Sequence, residues 1–379
     1  MVSVPMATVL DWRRAEDPRD IVHQAVQGLT EGRVVVLPTD TCYLLIANPF
    51  SPSAVGKLQA CCGSKLCILP RSADEVLDFV PNFGRGAMRL AQRVWPGPLV
   101  IQHRNGLETS SVRCFPSETI SKIIIEEHHL RLWQPGHDIL QNLSRLFSRP
   151  IVGGLPGKTI TEVKQVQEVV GKQQYDDGLL ILDAGPIEGI GVPTVVELDG
   201  SHGKLLEPGV IAMEQLQALS QLLILFVCTG NTCRSPMAAA LMNQKIQSRF
   251  GRSPESVPVI ATSAGVSAFG GDPASTGARQ AIRRFGIQLE SHQSSPLQSY
   301  LVEQADLILV MGNRHRNYIC SNWPEFADKV HLVASDGGEI SDPFGGPVEI
   351  YSQCAEQLDQ HTGYWLDQLD ASSVIQWQT

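Results

Sequence analysis

The stretch from Leu222 to Pro236, LLILFVCTGNTCRSP, constrains this chain more than any other. An unbroken apolar run, Leu222 to Val227, leads directly into Cys228; five residues separate Cys228 from Arg234, and Ser235-Pro236 follow. A short apolar run stopped by a Gly/Asn loop reads as a buried strand, and Ser-Pro reads as the opening of a helix. Strand, tight loop and helix in that order make a cradle for a phosphate. Gly230 permits close backbone approach, Asn231 tolerates a left-handed conformation, and the loop amides converge on an anion at a helix N-terminus. A cysteine at the floor of such a cradle lies where the helix dipole and an arginine favour a thiolate. The chemistry that follows is nucleophilic attack on a phosphoryl group.

Beyond this stretch the residues alternate between strand and helix patterns, which predicts a parallel sheet with helices on both faces. After the strand Leu222 to Val227 comes a helix from Pro236 to about Arg249, then a strand near Val259 to Thr262 and a helix from Thr276 to Phe285 stopped by Gly286. Asp306 to Met311 reads as a strand, Arg314 to Cys320 as a short helix, Lys329 to Val333 as a last strand, and Val348 to about Leu369 as the final helix. Ligands in such sheets bind at the carboxyl ends of the strands, which is where Cys228 falls.

The part from about Leu222 to Gln368 resembles the low-molecular-weight protein tyrosine phosphatases. The resemblance rests on Cys228-Thr229-Gly230-Asn231-Thr232-Cys233-Arg234-Ser235-Pro236-Met237-Ala238, on Ser263-Ala264-Gly265, on His292 and on Asp342-Pro343-Phe344. A bare C-x5-R is weak; the preceding strand, the following Ser-Pro and the distant Asp-Pro-Phe in order make it specific. The implied fold is a four-stranded parallel sheet. The implied mechanism is attack by Cys228 to form a phosphocysteine, with Arg234 gripping two phosphoryl oxygens and the loop amides stabilising the equatorial charge. Ser235 can donate a hydrogen bond to the thiolate, and Asp342, in the Gly-flanked loop SDPFGG, would protonate the leaving group and then activate water. Otherwise Asp342 would be a turn residue before proline.

By resemblance Thr229, Gly230, Asn231, Thr232, Cys233, Ser263 and His292 form or support the phosphate loop. Arg234 and backbone amides supply the positive charge that a metal supplies in other phosphoryl-transfer sites, so no metal or cofactor is expected for this chemistry. Cys233 sits in the same short loop as Cys228, which predicts a reversible Cys228-Cys233 disulfide on oxidation. Thr232 stands where most tyrosine-directed members carry an aliphatic residue and bacterial protein-arginine phosphatases carry threonine, so the substrate class is a protein bearing phosphoarginine or phosphotyrosine. Phe269 could wall the pocket or pack in the core.

The preceding residues form a second domain, in keeping with a length of 379 residues. Pro18 to Glu31 reads as a helix with Asp17 as N-cap, and Val34 to Leu37 as a buried strand leading into the polar loop Pro38-Thr39-Asp40-Thr41-Cys42-Tyr43. Turn chemistry alone explains that loop. Together with Trp95-Pro96-Gly97-Pro98-Leu99, Thr194-Val195-Val196 and Pro208-Gly209, however, it resembles the YrdC/Sua5 domain over roughly residues 17 to 212. That family folds as a twisted α/β sheet around a charged cavity, and its active members make threonylcarbamoyl-adenylate from threonine, bicarbonate and ATP for tRNA modification.

Several of the family's positions are altered here. Leu44 follows the tyrosine where the family has glycine, Cys61-Cys62-Gly63-Ser64-Lys65-Leu66 replaces its Lys-x-Arg segment, and Gly153-Gly154-Leu155-Pro156-Gly157 replaces its Ser-x-Asn. Thr39, Thr41, Lys65, Arg131 and Thr194 remain as candidate ligand residues, with ATP and Mg²⁺ implied only if the domain is catalytic. Adenylate formation needs cations spread over a triphosphate, so the reading is a degenerate domain. Cys61, Cys62 and Cys67 do not repeat a C-x-x-C pair and have no nearby histidine, which favours free thiols over a metal site. His128, His129 and His137 read as surface or core histidines.

The expected organisation is therefore a YrdC-like domain over residues 1–212, a helical linker over 213–221 and a phosphatase-like domain over 222–379. Net charge is −9, with the acidic excess shared almost evenly between the parts before and after Leu222. An RNA partner is not supported by that charge. A nucleotide- or RNA-binding protein for tRNA modification is the alternative reading, and the complete set Cys228, Arg234 and Asp342 argues against a non-catalytic scaffold. No apolar run approaches the roughly 20 residues that span a bilayer, and no signal-peptide core opens the chain. Nine cysteines without scaffold spacing fit reduced thiols, so the expected location is cytoplasmic.

Overall fold

The long apolar runs become strands buried on both faces, because each sheet is covered by helices on both sides. A computed structural model describes residues 7–104, 108–125, 128–170, 179–188, 191–251, 257–369 and 373–378. The chain divides into two units, Met1–Leu219 with Ile375–Thr379, and Ser220–Val374.

In the second unit the strands Leu222–Cys228, Val259–Gly265, Leu307–Val310 and Val330–Leu332 form a four-stranded, all-parallel sheet. Leu222–Cys228 lies inside it, pairing Cys228 with Gly265 on one side and Val227 with Val310 on the other. Its side chains alternate between faces. Ile224 and Phe226 pack with Met237, Leu241, Met242 and Leu358 from the helices Arg234–Phe250 and Val348–Asp367, whereas Leu225 and Val227 pack with Val302 and Ile319 from the opposite face. Each such side chain contributes about 2 kcal/mol when fully buried, enough to hold the strand rigidly beneath the loop it feeds.

The predicted elements are all present with shifted ends. Cys228 is the last residue of its strand, and the following helix begins at Arg234, two residues before the expected start at Pro236. The helix beginning at Thr276 is α-helical only to Ile282 and tightens to a 3-10 turn, Arg283–Phe285, before Gly286 adopts φ 73°.

The first unit contains an eleven-stranded mixed sheet. Strands Val35–Pro38 and Tyr43–Ala47 form an antiparallel hairpin, third and fourth from one edge. Val36, Tyr43 and Leu45 face one core and Val35, Leu37, Leu44 and Ile46 the other. Leu44 is thus a fully buried core residue, which accounts for a leucine after the tyrosine. Asp17 caps the helix Pro18–Thr30 by accepting from the Arg19 amide at 2.9 Å.

Two boundaries differ from the sequence reading. Residues 213–221, expected to link the domains, hold the helix Met213–Ser220, whose Leu216 is fully buried in the core of the first unit. The tail, expected to end the second domain, adds the strand Gln376–Trp377 parallel to His202–Glu207 in the first unit's sheet. A Cβ at Gly203 would stand 2.8 Å from both Ile375 and Trp377, so the missing side chain lets the tail dock. Among the described residues no helix is long and apolar enough to cross a membrane.

Candidate active site

The carbonyls of the loop after Leu222–Cys228 are turned outward. Cys228 O accepts from Val266 N at 3.0 Å, Thr229 O from Ser267 N at 2.9 Å and Thr232 O from Ser275 N at 2.8 Å. His292 Nε2 donates to Asn231 O at 2.8 Å, which fixes its tautomer. With carbonyls held from outside, the loop amides face inward, as an anion cradle requires. Gly265 makes this possible: a Cβ there would meet Thr229 O at 2.6 Å and Asn231 N at 2.9 Å.

Asn231 adopts φ 55° and is fully buried. A left-handed non-glycine residue costs on the order of 1–2 kcal/mol. Its side chain donates to Ser235 Oγ and Ser263 Oγ, each at 2.9 Å, and accepts from Ser295 N at 2.8 Å. Three bonds at about 1 kcal/mol each outweigh the strain, and glycine would lose them. The turn aims Asn231 N at Cys228 Sγ, 3.3 Å away, and Ser235 Oγ lies 3.0 Å from the same sulfur. Cys228 is 3% exposed.

Arg234, the first residue of its helix, is buried and donates Nη1 to Ile340 O at 3.0 Å and Nη2 to Asp342 Oδ2 at 2.5 Å. Its Nε is buried without a partner, a donor left for an incoming anion. Asp342 is half exposed and also accepts from Phe344 N at 3.3 Å, so the turn residue and the arginine partner are one carboxylate. Gly345 follows at φ 78°, a conformation suited to glycine.

Cys233 Sγ donates to Ser275 Oγ at 3.2 Å and lies 3.7 Å from the buried Tyr351 hydroxyl. Thr232 is half-buried, with its hydroxyl 3.7 Å from Cys233 Sγ. Phe269 is 97% exposed, which rules out a core role.

Three residues escaped the sequence reading. Tyr351 lies on the final helix beneath the loop, and burial raises its phenol above the ordinary range. Cys354, one helical turn on, is buried and its thiol is pushed up to about 12 by burial. His315, on the helix Asn313–Asn322, places Nε2 3.0 Å from Thr229 Oγ1. Burial, then Arg234, lowers its pKa below 6.5. Nothing contiguous with the loop signals these residues.

In the first unit the candidate ligand residues do not converge. Thr39 Oγ1 donates to Cys42 O at 2.7 Å and accepts from the Thr41 and Cys42 amides at 3.1 Å, with the Thr41 hydroxyl 3.2 Å away, so both threonines build the turn. Thr194 exchanges hydrogen bonds with Ile211. Lys65 and Arg131 do line a cavity of about 500 Å³ with Tyr43, Cys62, Trp133 and Glu207. Both are spent on one carboxylate, at 2.7 and 2.8 Å from Glu207 Oε1, and hold it below the usual carboxylate range despite partial burial. Cys67 is pushed up to about 12 by burial, and the Cys62 thiol is raised for the same reason. Among the described residues no group of three His, Cys, Asp or Glu could hold a metal ion.

Residues 223–374 match the family described as low molecular weight phosphotyrosine protein phosphatase, and the chain belongs to that family. Its second unit is a cysteine-dependent protein phosphatase of phosphoarginine or phosphotyrosine, working through a phosphocysteine. The chain is 40% identical over 140 residues to a protein-arginine-phosphatase of Geobacillus stearothermophilus, covering 36% of this chain and 88% of that one. It is 42% identical over 141 residues to a protein-arginine-phosphatase of Bacillus subtilis (36% and 89%). It is 34% identical over 149 residues to a probable low molecular weight protein-tyrosine-phosphatase, EpsP, of Ralstonia nicotianae (39% and 96%). Residues 27–209 match the Sua5/YciO/YrdC family, described as telomere recombination.

Proposed function

We propose that this protein is a cytoplasmic protein-arginine phosphatase, with Cys228 as nucleophile, Arg234 as phosphate clamp and Asp342 as general acid and base. The observation that carries this reading is the loop itself, whose Cys228, Thr229, Asn231 and Thr232 carbonyls are drawn outward around a buried Cys228. Cys228 Sγ attacks phosphorus and the P–N bond breaks. The leaving guanidine takes the Asp342 carboxyl proton, and Ser235 and the Asn231 amide remain on the sulfur. Water, deprotonated by the Asp342 carboxylate, then attacks phosphorus; the S–P bond breaks and inorganic phosphate departs. Arg234 must exchange the Asp342 carboxylate for phosphoryl oxygens on binding, and its unpartnered Nε supplies an edge for a two-point grip.

The half-buried Thr232 hydroxyl supports phosphoarginine over phosphotyrosine, since a polar group there can orient a water or contact the guanidine. The higher identity to the arginine phosphatases supports it as well. For the first unit we favour a degenerate role without ATP and Mg²⁺, because Glu207 occupies both cations lining the cavity. The test is hydrolysis of phosphoarginine and phosphotyrosine peptides by wild type and Cys228→Ser. Wild-type turnover favouring phosphoarginine, absent from Cys228→Ser, is expected; a preference for phosphotyrosine removes the substrate assignment, and no turnover of either removes the enzyme.

A further inference from the structure

His315 reaches the phosphate loop from a helix that the catalytic sequence pattern does not include. Its Nε2 lies 3.0 Å from Thr229 Oγ1, and Thr229 directly follows the nucleophile. His315 is 7% exposed, and its buried Nδ1 makes no well-formed hydrogen bond, only a weak contact with the Gly312 backbone. Burying an unpaired polar nitrogen is unfavourable, and an apolar side chain would fill the same space without that cost. Packing alone therefore does not explain a histidine here, whereas its bond to Thr229 does.

The helix that carries His315 is itself tied to the loop bearing the acid. Glu339 Oε1 accepts from both the backbone amide and the side-chain amide of Asn313, each at 2.8 Å. A Cβ on Gly312 would fall 2.8 Å from the Glu339 carboxylate, so glycine permits this cap. Asp342 lies three residues beyond Glu339 and holds Arg234. One end of the helix Asn313–Asn322 thus clasps the phosphate loop at Thr229 and the segment that presents Asp342.

We propose that His315 is a positioning residue: it holds Thr229, and with it the first turn of the phosphate loop, in register with the acid-bearing segment. It does not touch the reacting atoms. The proposal rests on the phosphatase reading of Cys228, and its test is expressed as ratios to an active wild type.

Full-length wild type, Thr229→Val, His315→Gln, His315→Leu and the Thr229→Val/His315→Leu double variant are compared on para-nitrophenyl phosphate, with a thermal midpoint for each. Losing one loop-orienting hydrogen bond should lower kcat/KM about tenfold in His315→Leu. His315→Gln, whose amide reaches Thr229 from the same helix position, should regain most of that loss. The double variant should be no slower than Thr229→Val alone, the signature of one shared interaction. Losses that multiply in the double variant, a Gln variant as slow as the Leu variant, or a Leu variant at wild-type rate would each overturn the proposal. Should His315→Leu not fold, Thr229→Val decides: about tenfold slower at an unchanged midpoint supports the proposal, and wild-type rate sinks it. A wild type without turnover fails the phosphatase reading first, and the proposal with it.

Discussion

The two cation-bearing sites of this chain treat positive charge in opposite ways. In the second unit the loop after Cys228 has its carbonyls bonded outward, and Arg234 keeps an unpartnered Nε beside a carboxylate that is half exposed and sits on a loop. In the first unit Lys65 and Arg131 converge on Glu207, and Gln102 takes the Arg131 Nε at 3.1 Å. In the phosphatase site the carboxylate on Arg234 sits on an exposed loop, whereas in the other cavity one glutamate is shared by both cations. What separates them is the backbone. The phosphatase loop offers backbone amides beside its one cation, whereas in the first unit two side-chain cations are satisfied by one glutamate.

The largest effect that would sharpen this contrast is oxidation. Stoichiometric hydrogen peroxide should abolish phosphatase activity by joining Cys228 to Cys233, and dithiothreitol should restore it; inactivation that the thiol cannot reverse would remove the protective role of Cys233. Next, Asp342→Asn should lower kcat about 10²-fold or more, because the leaving group loses its proton donor while Arg234 stays in place. A rate close to wild type would mean that Asp342 serves only to hold Arg234 and the turn to Phe344.

A smaller change is expected in the first unit. Glu207→Gln releases Lys65 and Arg131, so inorganic triphosphate should bind about tenfold more tightly than to wild type, read by calorimetry. Equal affinities would break the idea that Glu207 seals the cavity. The smallest effect concerns acid. Burial holds the imidazoles of His103 and His137 in the first unit, and of His315 in the second, below the unfolded value of 6.5. The unfolded chain then binds more protons as pH falls through 6.5, so stability present above that pH is lost progressively toward the folded values. The thermal midpoint should drop by on the order of a few degrees between about pH 7 and about pH 5, more for the transition of the first unit than for that of the second.

The sequence made the parallel sheet legible because its strands are covered on both faces and read as continuous apolar runs. Asn231 was legible for a local reason: a turn that must point its amide at the preceding cysteine needs a left-handed residue, and asparagine adds three hydrogen bonds. Helix ends were less so, since Ser235-Pro236 marks the opening turn while the hydrogen-bond ladder begins at Arg234. Residues 213–221, free of Pro and Gly, read as a helical connector, and the helix is present; that it belongs to the first unit depends on Leu216 and Leu219 packing into that unit's core. The five candidate residues of the first unit could not be sorted, since the threonines satisfy backbone groups that only the folded turn brings near.

By itself the chain from Leu222 to Pro236 determined a strand, a tight turn and a helix opening, because its apolar run, its Gly-Asn pair and its Ser-Pro are local signals, whereas the bonds that hold the loop, from Ser263, His292 and Ser295, span 32 to 64 positions. The proposed acid could be nominated from Asp342-Pro343-Phe344, although its bond to Arg234 crosses 108 positions. Tertiary structure alone decided that His315 clasps Thr229, that Glu207 occupies Lys65 and Arg131, and that the last strand completes the first unit's sheet. Each of these pairs groups far apart in sequence, and side-chain chemistry carries no record of which distant partner the fold will bring within 3 Å.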